Sequence, residues 1–471
     1  MSEILQMSAA EIVRQIKSKS ITVIETVEAH IQRIEKVNPL INAVIIPLFE
    51  QARQQAKDAD QHIAENGTED LPPLYGVPVT IKDCWAVEGA RFTGGSTYHR
   101  DDIADSDAEV VKRFKDAGAI IFGKTNLPDM CWSGETINPI FGRTNNPHNI
   151  NYSAGGSSGG EGSIIAAGGS PLGIGSDIAG SVRLPAAMNG CVSLKPTAGR
   201  VPSHDHFPIA SEKIRAWNTA GPMARRIEDL ALAMDILSET PMQDHREIDL
   251  SGRKCLVYLH SGGVFPPVRK SVVESVSLAA GSLKKAGMDM QRDDSLALDK
   301  LTILYLHLMS KHGNQAFKEV LGGGKSYDLW EEMNFVRKGQ GRISASVLWF
   351  ATSIDYAAPA AYIFGETSFK RLDDHKRQIL DKMGEGGVIL CPLIITSPPK
   401  HGWGYWLITQ IPYTTPFNAL GFPAVVLPVG YNKKGLPMAV QVVARPGEDD
   451  VALAVAAELE RLYGGWKMAK L

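Results

Sequence analysis

The chain has 471 residues, longer than a usual single domain but within the range of a large α/β enzyme built round one sheet. Hydrophobic residues at 44% and charged residues at 21% are ordinary for a globular protein, and a net charge of −3 leaves no basic footprint for nucleic acid. Five cysteines, Cys84, Cys131, Cys191, Cys255 and Cys391, are odd in number and never arranged as C-x-x-C, which argues against a disulfide framework or a zinc site and points to a reducing cytoplasm.

Met1-Ser2-Glu3-Ile4 opens the chain without a basic run or an apolar stretch, so a secretory leader is not expected. Residues 1–70 read as a helical layer. Ser8-Ala9-Ala10-Glu11 and Thr22-Val23-Ile24-Glu25 have the form of capping boxes, and Ile24, Val27, Ile31 and Ile34 recur at helical spacing. Over 71–240, short apolar runs (Val77 to Ile81, Ala119 to Phe122) alternate with glycine-rich turns and a helical stretch from Ser163 to Ala167. That alternation predicts an α/β fold, a large mixed sheet covered by helices on both faces. Residues 250–385 open with a strand at Lys254 to His260 and a helix around Ser271 to Ala286, then become less regular, punctuated by Gly322-Gly323-Gly324 and Gly384-Glu385-Gly386-Gly387. This region reads as a variable, substrate-shaping insertion. Within it Val347 to Phe364 is mostly apolar, but Asp355 and Pro359 would make crossing a bilayer costly. A packed helix pair over the pocket or core is expected there, with peripheral membrane contact the less favoured reading. Val388 to Ile394 resumes as a buried strand, and 386–471 supplies closing core strands and a helix.

The chemistry concentrates in two glycine-rich segments, Gly155-Gly156-Ser157-Ser158-Gly159-Gly160 and Gly175-Ser176-Asp177-Ile178-Ala179-Gly180-Ser181-Val182-Arg183. Glycines let backbone N–H groups approach a ligand, and a serine among them sits where a nucleophile attacks while amides hold the developing oxyanion. Such a serine needs a base. Lys82 ends the apolar run Val77 to Ile81, whose dry surroundings would disfavour the ammonium form. Asp83 would oppose this unless strand alternation turns its side chain to the other face.

These pieces, in this order, resemble the amidase signature family, whose members cut carboxamides with a Ser-Ser-Lys triad. Val37-Asn38-Pro39-Leu40-Ile41-Asn42-Ala43 is similar to the family's opening, and Thr415-Pro416-Phe417-Asn418-Ala419-Leu420-Gly421-Phe422-Pro423-Ala424 with Gly435-Leu436-Pro437-Met438-Ala439-Val440-Gln441 to its closing strands. The likeness spans nearly all of 1–471 and implies a single domain. It implies Ser181 as nucleophile, Ser157 as bridging serine after a cis Gly156–Ser157 bond, and Lys82 as base. The N–H groups of Ile178, Ala179, Gly180 and Ser181 would form the oxyanion hole. Ser158 would support the bridging serine, and Asp177 and Arg183 would brace the nucleophile loop. Cys131 would lie near Ser157, where a backbone carbonyl holds the hydroxyl, with its thiol as packing. Ala179 stands where relatives usually have glycine, and its methyl would resist a positive φ. No cofactor or metal is implied.

Gly159-Gly160-Glu161-Gly162, Ser176-Asp177-Ile178, Gly199-Arg200-Val201-Pro202 and His206-Phe207-Pro208 look more like the fatty acid amide hydrolase branch than the glutaminyl-tRNA amidotransferase subunit. That implies a small-molecule amide with an apolar acyl or aryl group. Trp349, Phe350, Tyr356, Tyr362 and Phe364 would line its pocket or fill the core. Two other readings stay open: a glutamine amidase subunit feeding ammonia to a partner, and a catalytically silent scaffold. The sequence also leaves a homodimer open.

Competing motifs carry less. Gly118 to Thr125 (GAIIFGKT) matches a bare P-loop pattern, but its middle is an apolar strand. Gly155 to Gly159 matches G-x-S-x-G, yet Asn149 to Ala154 is too polar for the strand that precedes a nucleophile elbow. His204-Asp205-His206 lacks helical ligand spacing and reads as polar surface.

Overall fold

The structure, a computed structural model, describes residues 3–208, 211–259, 265–321, 329–338, 341–348, 352, 369–402 and 410–471. Helices α1 (Ala9–Lys17), α2 (Val23–Ile41) and α3 (Phe49–Asn66) form the N-terminal layer. Thr22 opens α2 with the full reciprocal box: its Oγ1 accepts from the Glu25 N–H at 3.1 Å, and the Glu25 carboxylate accepts from the Thr22 N–H at 2.8 Å. Ser8 makes half of one. It accepts from the Glu11 N–H at 3.0 Å, but the Glu11 carboxylate turns instead to Arg14 and Gln15.

The described strands are β1 (Val44–Pro47), β2 (Pro78–Lys82), β3 (Ile120–Thr125), β4 (Ile137–Asn138), β5 (Gly142–Arg143), β6 (Leu172–Asp177), β7 (Val192–Lys195), β8 (Thr219–Ala224), β9 (Lys254–Val257), β10 (Asp289–Arg292), β11 (Val388–Cys391), β12 (Ala424–Tyr431) and β13 (Pro437–Val443). All but the β4/β5 ribbon join one mixed sheet in the order β1-β3-β2-β6-β8-β7-β12-β13-β11-β9-β10. Every residue of β2, β3, β6, β8 and β13 is buried, as expected of strands covered on both faces. The covering helices include α4 (Glu109–Asp116), α5 (Gly159–Ala166), α6 (Arg183–Asn189), α7 (Ile227–Leu237), α8 (Lys270–Lys285) and α9 (Leu298–Leu321).

The stretch 250–385 is of two kinds. Its first part, β9, α8 and β10, extends the edge of the main sheet through parallel pairing with β11. Its second part, α9 and the helix Phe369–Met383, packs a separate apolar cluster with Trp217, Tyr258, Tyr305 and Phe417. Of Val347 to Phe364, Val347 and Leu348 are buried beside Met130 and Ile343. The remainder apart from Thr352, with Trp349, Phe350, Tyr356, Tyr362 and Phe364, lies outside the described residues, as do His260 and Gly322 to Gly324. No described helix is long and apolar enough to cross a membrane.

Helix α5 fixes one serine segment against the strand that carries Lys82. A Cβ on Gly160 would lie 2.4 Å from the Asn126 backbone nitrogen, so glycine alone permits that approach. Next to it Glu161 accepts from the Thr80 hydroxyl on β2 at 2.7 Å and from the Thr125 hydroxyl on β3 at 2.8 Å. Burial pushes the Glu161 carboxyl up to about 8, against the pull of the two threonines. Between its unfolded value and that figure, the folded chain keeps a proton that the unfolded chain has lost, so this group makes stability fall as pH rises through the window. We expect Glu161→Gln, which mimics the protonated acid, to flatten that fall: its thermal midpoint should drop less than that of the wild type between about pH 6 and about pH 8.5. Equal drops in the two proteins would refute the assignment.

Candidate active site

The strand β2 runs into the interior and leaves Lys82 at its end, fully buried. The Lys82 amine lies 2.7 Å from the Ser157 hydroxyl and 2.9 Å from the Ser176 hydroxyl, and among the described residues it meets no carboxylate. Its neighbour Asp83 points to the other face. There the Asp83 carboxylate pairs with the buried Lys124 of β3 at 2.5 Å and accepts from the Thr93 hydroxyl at 2.6 Å. The carboxylate that could have clamped Lys82 as an ammonium is thus committed to another cation.

Ser157 follows a cis Gly156–Ser157 peptide bond, which agrees with the bond that the resemblance implies. Its loop is held from behind: Thr136 donates through its hydroxyl to the Gly155 carbonyl at 2.9 Å and accepts from the Gly159 N–H at 3.1 Å. Ser158 links the two serine segments, its N–H donating to the Ser181 carbonyl at 3.1 Å. The side chains of Ser157 and Ser181 are buried together in this region, Ser157 at 1% exposure and Ser181 at 8%, so Ser181 is the more open of the two. Their hydroxyls make no hydrogen bond to each other in this structure; Ser158 joins the segments through its backbone bond and through its hydroxyl, which donates to the Ser176 carbonyl and accepts from the Ser176 N–H, both at 3.4 Å.

The loop from Ile178 to Ser181 is anchored by its carbonyl oxygens. The Ile178 carbonyl accepts from the Tyr305 hydroxyl of α9 at 3.0 Å, and the Ala179 carbonyl from the Thr414 hydroxyl at 2.7 Å. Gly180 departs from the expected oxyanion set, because its N–H donates to Asp177 Oδ1 at 2.7 Å. The N–H groups of Ile178, Ala179 and Ser181 have no such partner among the described residues. Ala179 needs no positive φ; that conformation falls on Gly180, at φ +113°, where a Cβ would meet Thr414 at 2.7 Å.

Asp177 and Arg183 form a fully buried pair at 2.9 Å. Arg183 also donates to the Gln441 side chain at 2.8 Å, to Asn418 at 2.5 Å and to the Thr414 carbonyl at 3.2 Å. Burial alone would raise the Asp177 carboxyl, yet the Arg183 guanidinium and the Asn418 amide hold it well below the usual carboxylate range.

Two neighbours of Lys82 escape a reading of the sequence. Ser176 lies on β6, beside β2, and bridges Lys82 to the ring of His206, whose Nε2 is 2.9 Å from the Ser176 hydroxyl. His206 is therefore no surface residue; it is buried, while His204 is exposed and Asp205 caps the start of α4 by accepting from the Glu109 N–H at 2.5 Å. Among the described residues no hydrogen bond joins the Cys131 carbonyl to Ser157. The Cys131 thiol instead lies 3.9 Å from His206 Nε2.

A family profile described as Amidase matches residues 25–453. The chain belongs to the amidase signature family. Fatty-acid amide hydrolase 2 of Homo sapiens is 33% identical over 486 aligned residues, covering 98% of this chain and 90% of that protein. An acylamidase of Rhodococcus erythropolis is 32% identical, covering 96% of this chain and 95% of its own. The solved structure of 6-aminohexanoate cyclic dimer hydrolase complexed with substrate superposes with a TM-score of 0.81 at 27% identity, over 98% of this chain and 97% of that one. As an amidase signature protein the chain is a hydrolase of amide C–N bonds. Replacing Asp177 by Asn should leave Arg183 a buried cation without its anion and cost about 3 to 5 kcal/mol in denaturant unfolding; a change below about 1 kcal/mol would show that the pair does not hold the loop.

Proposed function

We propose that this chain hydrolyses carboxamides through a Ser181 acyl-enzyme, with Ser157 as proton relay and Lys82 as base. The observation that carries the reading is the 2.7 Å contact of a buried, carboxylate-free Lys82 with Ser157. A base must arrive as a neutral amine, and no carboxylate among the described residues pairs with this one. Glu161 is held by two threonines instead.

Attack of Ser181 Oγ on the carbonyl carbon releases a proton to Ser157, which passes its own proton to Lys82. The N–H groups of Ile178, Ala179 and Ser181 receive the oxyanion, each worth about 3 kcal/mol of transition-state stabilisation. The Lys82 ammonium returns its proton through Ser157 to the leaving nitrogen, since an amine expelled as an anion is a poor leaving group. Water then repeats the sequence on the ester, with the proton moving along the same relay.

The acyl side of the substrate is apolar in this reading. Supporting it are the apolar side chains Ile178, Ala179 and Trp132 packed at the edge of the cluster that includes Tyr305, and the relatives named fatty-acid amide hydrolase 2 and acylamidase. Five free cysteines support a cytoplasmic home.

A fluorophosphonate probe should label the wild type and fail to label Ser181→Ala. Lys82→Ala should slow labelling by about 10²- to 10⁴-fold. A wild type that takes no label would favour the silent scaffold, and glutaminase activity that needs partner proteins would favour the amidotransferase subunit. Across aryl and alkyl amides of graded length, kcat/KM should rise with the apolar size of the acyl group; a flat series would remove the apolar assignment. The rate should fall on the acid side as one group takes a proton, and a profile flat to about pH 5 would contradict a neutral-amine base.

A further inference from the structure

Beside Lys82 the fold gathers three side chains that carry no proton in the amide-cleaving relay. Cys84 follows β2, Cys131 sits in the loop after β3, and His206 comes from the segment between β7 and β8. Their ligand atoms, two Sγ and one Nε2, all lie within 4.8 Å of one another. The cluster draws on three distant parts of the sequence, which is why no Cys and His spacing announced it.

The His206 ring is set in one tautomer. Its Nδ1 lies 3.0 Å from the Pro208 carbonyl oxygen, which can only accept, so Nδ1 carries the hydrogen and, in the neutral ring, Nε2 keeps the lone pair. A carbonyl gripping the far nitrogen is the arrangement that orients a metal-binding imidazole. Trp85 packs edge-on against the same ring at 5.0 Å and limits its rotation.

Two thiolates and an imidazole suit a borderline-soft d¹⁰ cation such as Zn²⁺, and suit Mg²⁺ or Ca²⁺ poorly. With Zn–S near 2.3 Å and Zn–N near 2.0 Å, ligand atoms of a tetrahedral site lie about 3.5 to 3.8 Å apart. Cys131 Sγ already stands 3.9 Å from His206 Nε2, and no pair would need to close by more than about 1 Å. Ser176 Oγ, 3.5 Å from Cys84 Sγ and 2.9 Å from His206 Nε2, is placed to complete the set.

We propose that Cys84, Cys131 and His206 form a binding site for one zinc-class cation, and that loading it silences the amidase. On binding, each thiol gives its proton to solvent, so a divalent ion with two thiolates adds no net charge beside Lys82. Silencing follows from shared atoms. The Nε2 lone pair that accepts from the Ser176 hydroxyl cannot hold a metal as well, and Ser176 is also the second partner of Lys82 at 2.9 Å. A loaded site turns Ser176 toward the cation and breaks the chain of hydrogen bonds that positions the amine against Ser157.

The test titrates the full-length reduced protein with Zn²⁺ against a chromophoric chelator, and with Co²⁺ as a spectroscopic stand-in. One equivalent should bind, with a near-ultraviolet thiolate-to-cobalt charge-transfer band. Amide hydrolysis should fall at least about tenfold as the site fills and return on chelation. Cys84→Ser and Cys131→Ser should each weaken Zn²⁺ binding at least about tenfold and diminish the band. Lack of stoichiometric binding by folded wild type overturns the site, whatever the variants do. A band unchanged in both cysteine variants overturns these ligands, and a zinc-loaded chain that hydrolyses at full rate overturns the silencing. None of these results touches the Ser181 reading, which is read by probe labelling of metal-free protein.

Discussion

Lys82 and Lys124 enter the interior from adjacent parallel strands, and Asp83 pairs with the second of them. Strand alternation makes that choice, because consecutive residues leave a strand on opposite faces. A buried amine that meets hydroxyls alone has partners it can exchange protons with, whereas one that meets a carboxylate is engaged in an ion pair. Another carboxyl beside β2, Glu161, meets two threonines. The site around Lys82 thus owes its character to where the fold sends its carboxylates as much as to the lysine.

The second constraint is a buried guanidinium. Arg183 begins α6 directly after the loop from Ile178 to Ser181 and gathers Asp177, Thr414, Asn418 and Gln441. With the Ile178 and Ala179 carbonyls tied to Tyr305 and Thr414, the loop is gripped through its acceptors, which leaves most of its donors free. Gly180 is the exception, its N–H drawn to Asp177. Pairing the acceptors of a peptide segment while leaving its donors unpaired is how a backbone becomes a receptor for negative charge.

Much of this was legible in the residues. The run ending in Lys82 is short, apolar and β-branched, and it folds as the buried strand that such a run describes. Both serine segments carry glycines where a close approach or a positive φ demands them, at Gly160 and Gly180. His206 was not legible, since His-Asp-His in a loop looks like surface and its burial comes from Trp85, Ser176 and Pro208, which reach it through the tertiary fold. The doubt over Ala179 dissolves for a similar reason: the positive φ sits one residue later. The strand at β10 escaped notice because it is mostly exposed and lacks an apolar pattern. Glu11, too, matches a capping box in sequence while its carboxylate serves Arg14 and Gln15.

Gln441 lies on β13, a strand that sits between β12 and β11 inside the sheet, 258 residues beyond Arg183 in the chain. During synthesis the serine segments, Lys82 and Arg183 all emerge long before the glutamine that helps satisfy Arg183. The nascent enzyme is therefore expected to stay inert until β12 and β13 slot into the middle of the sheet.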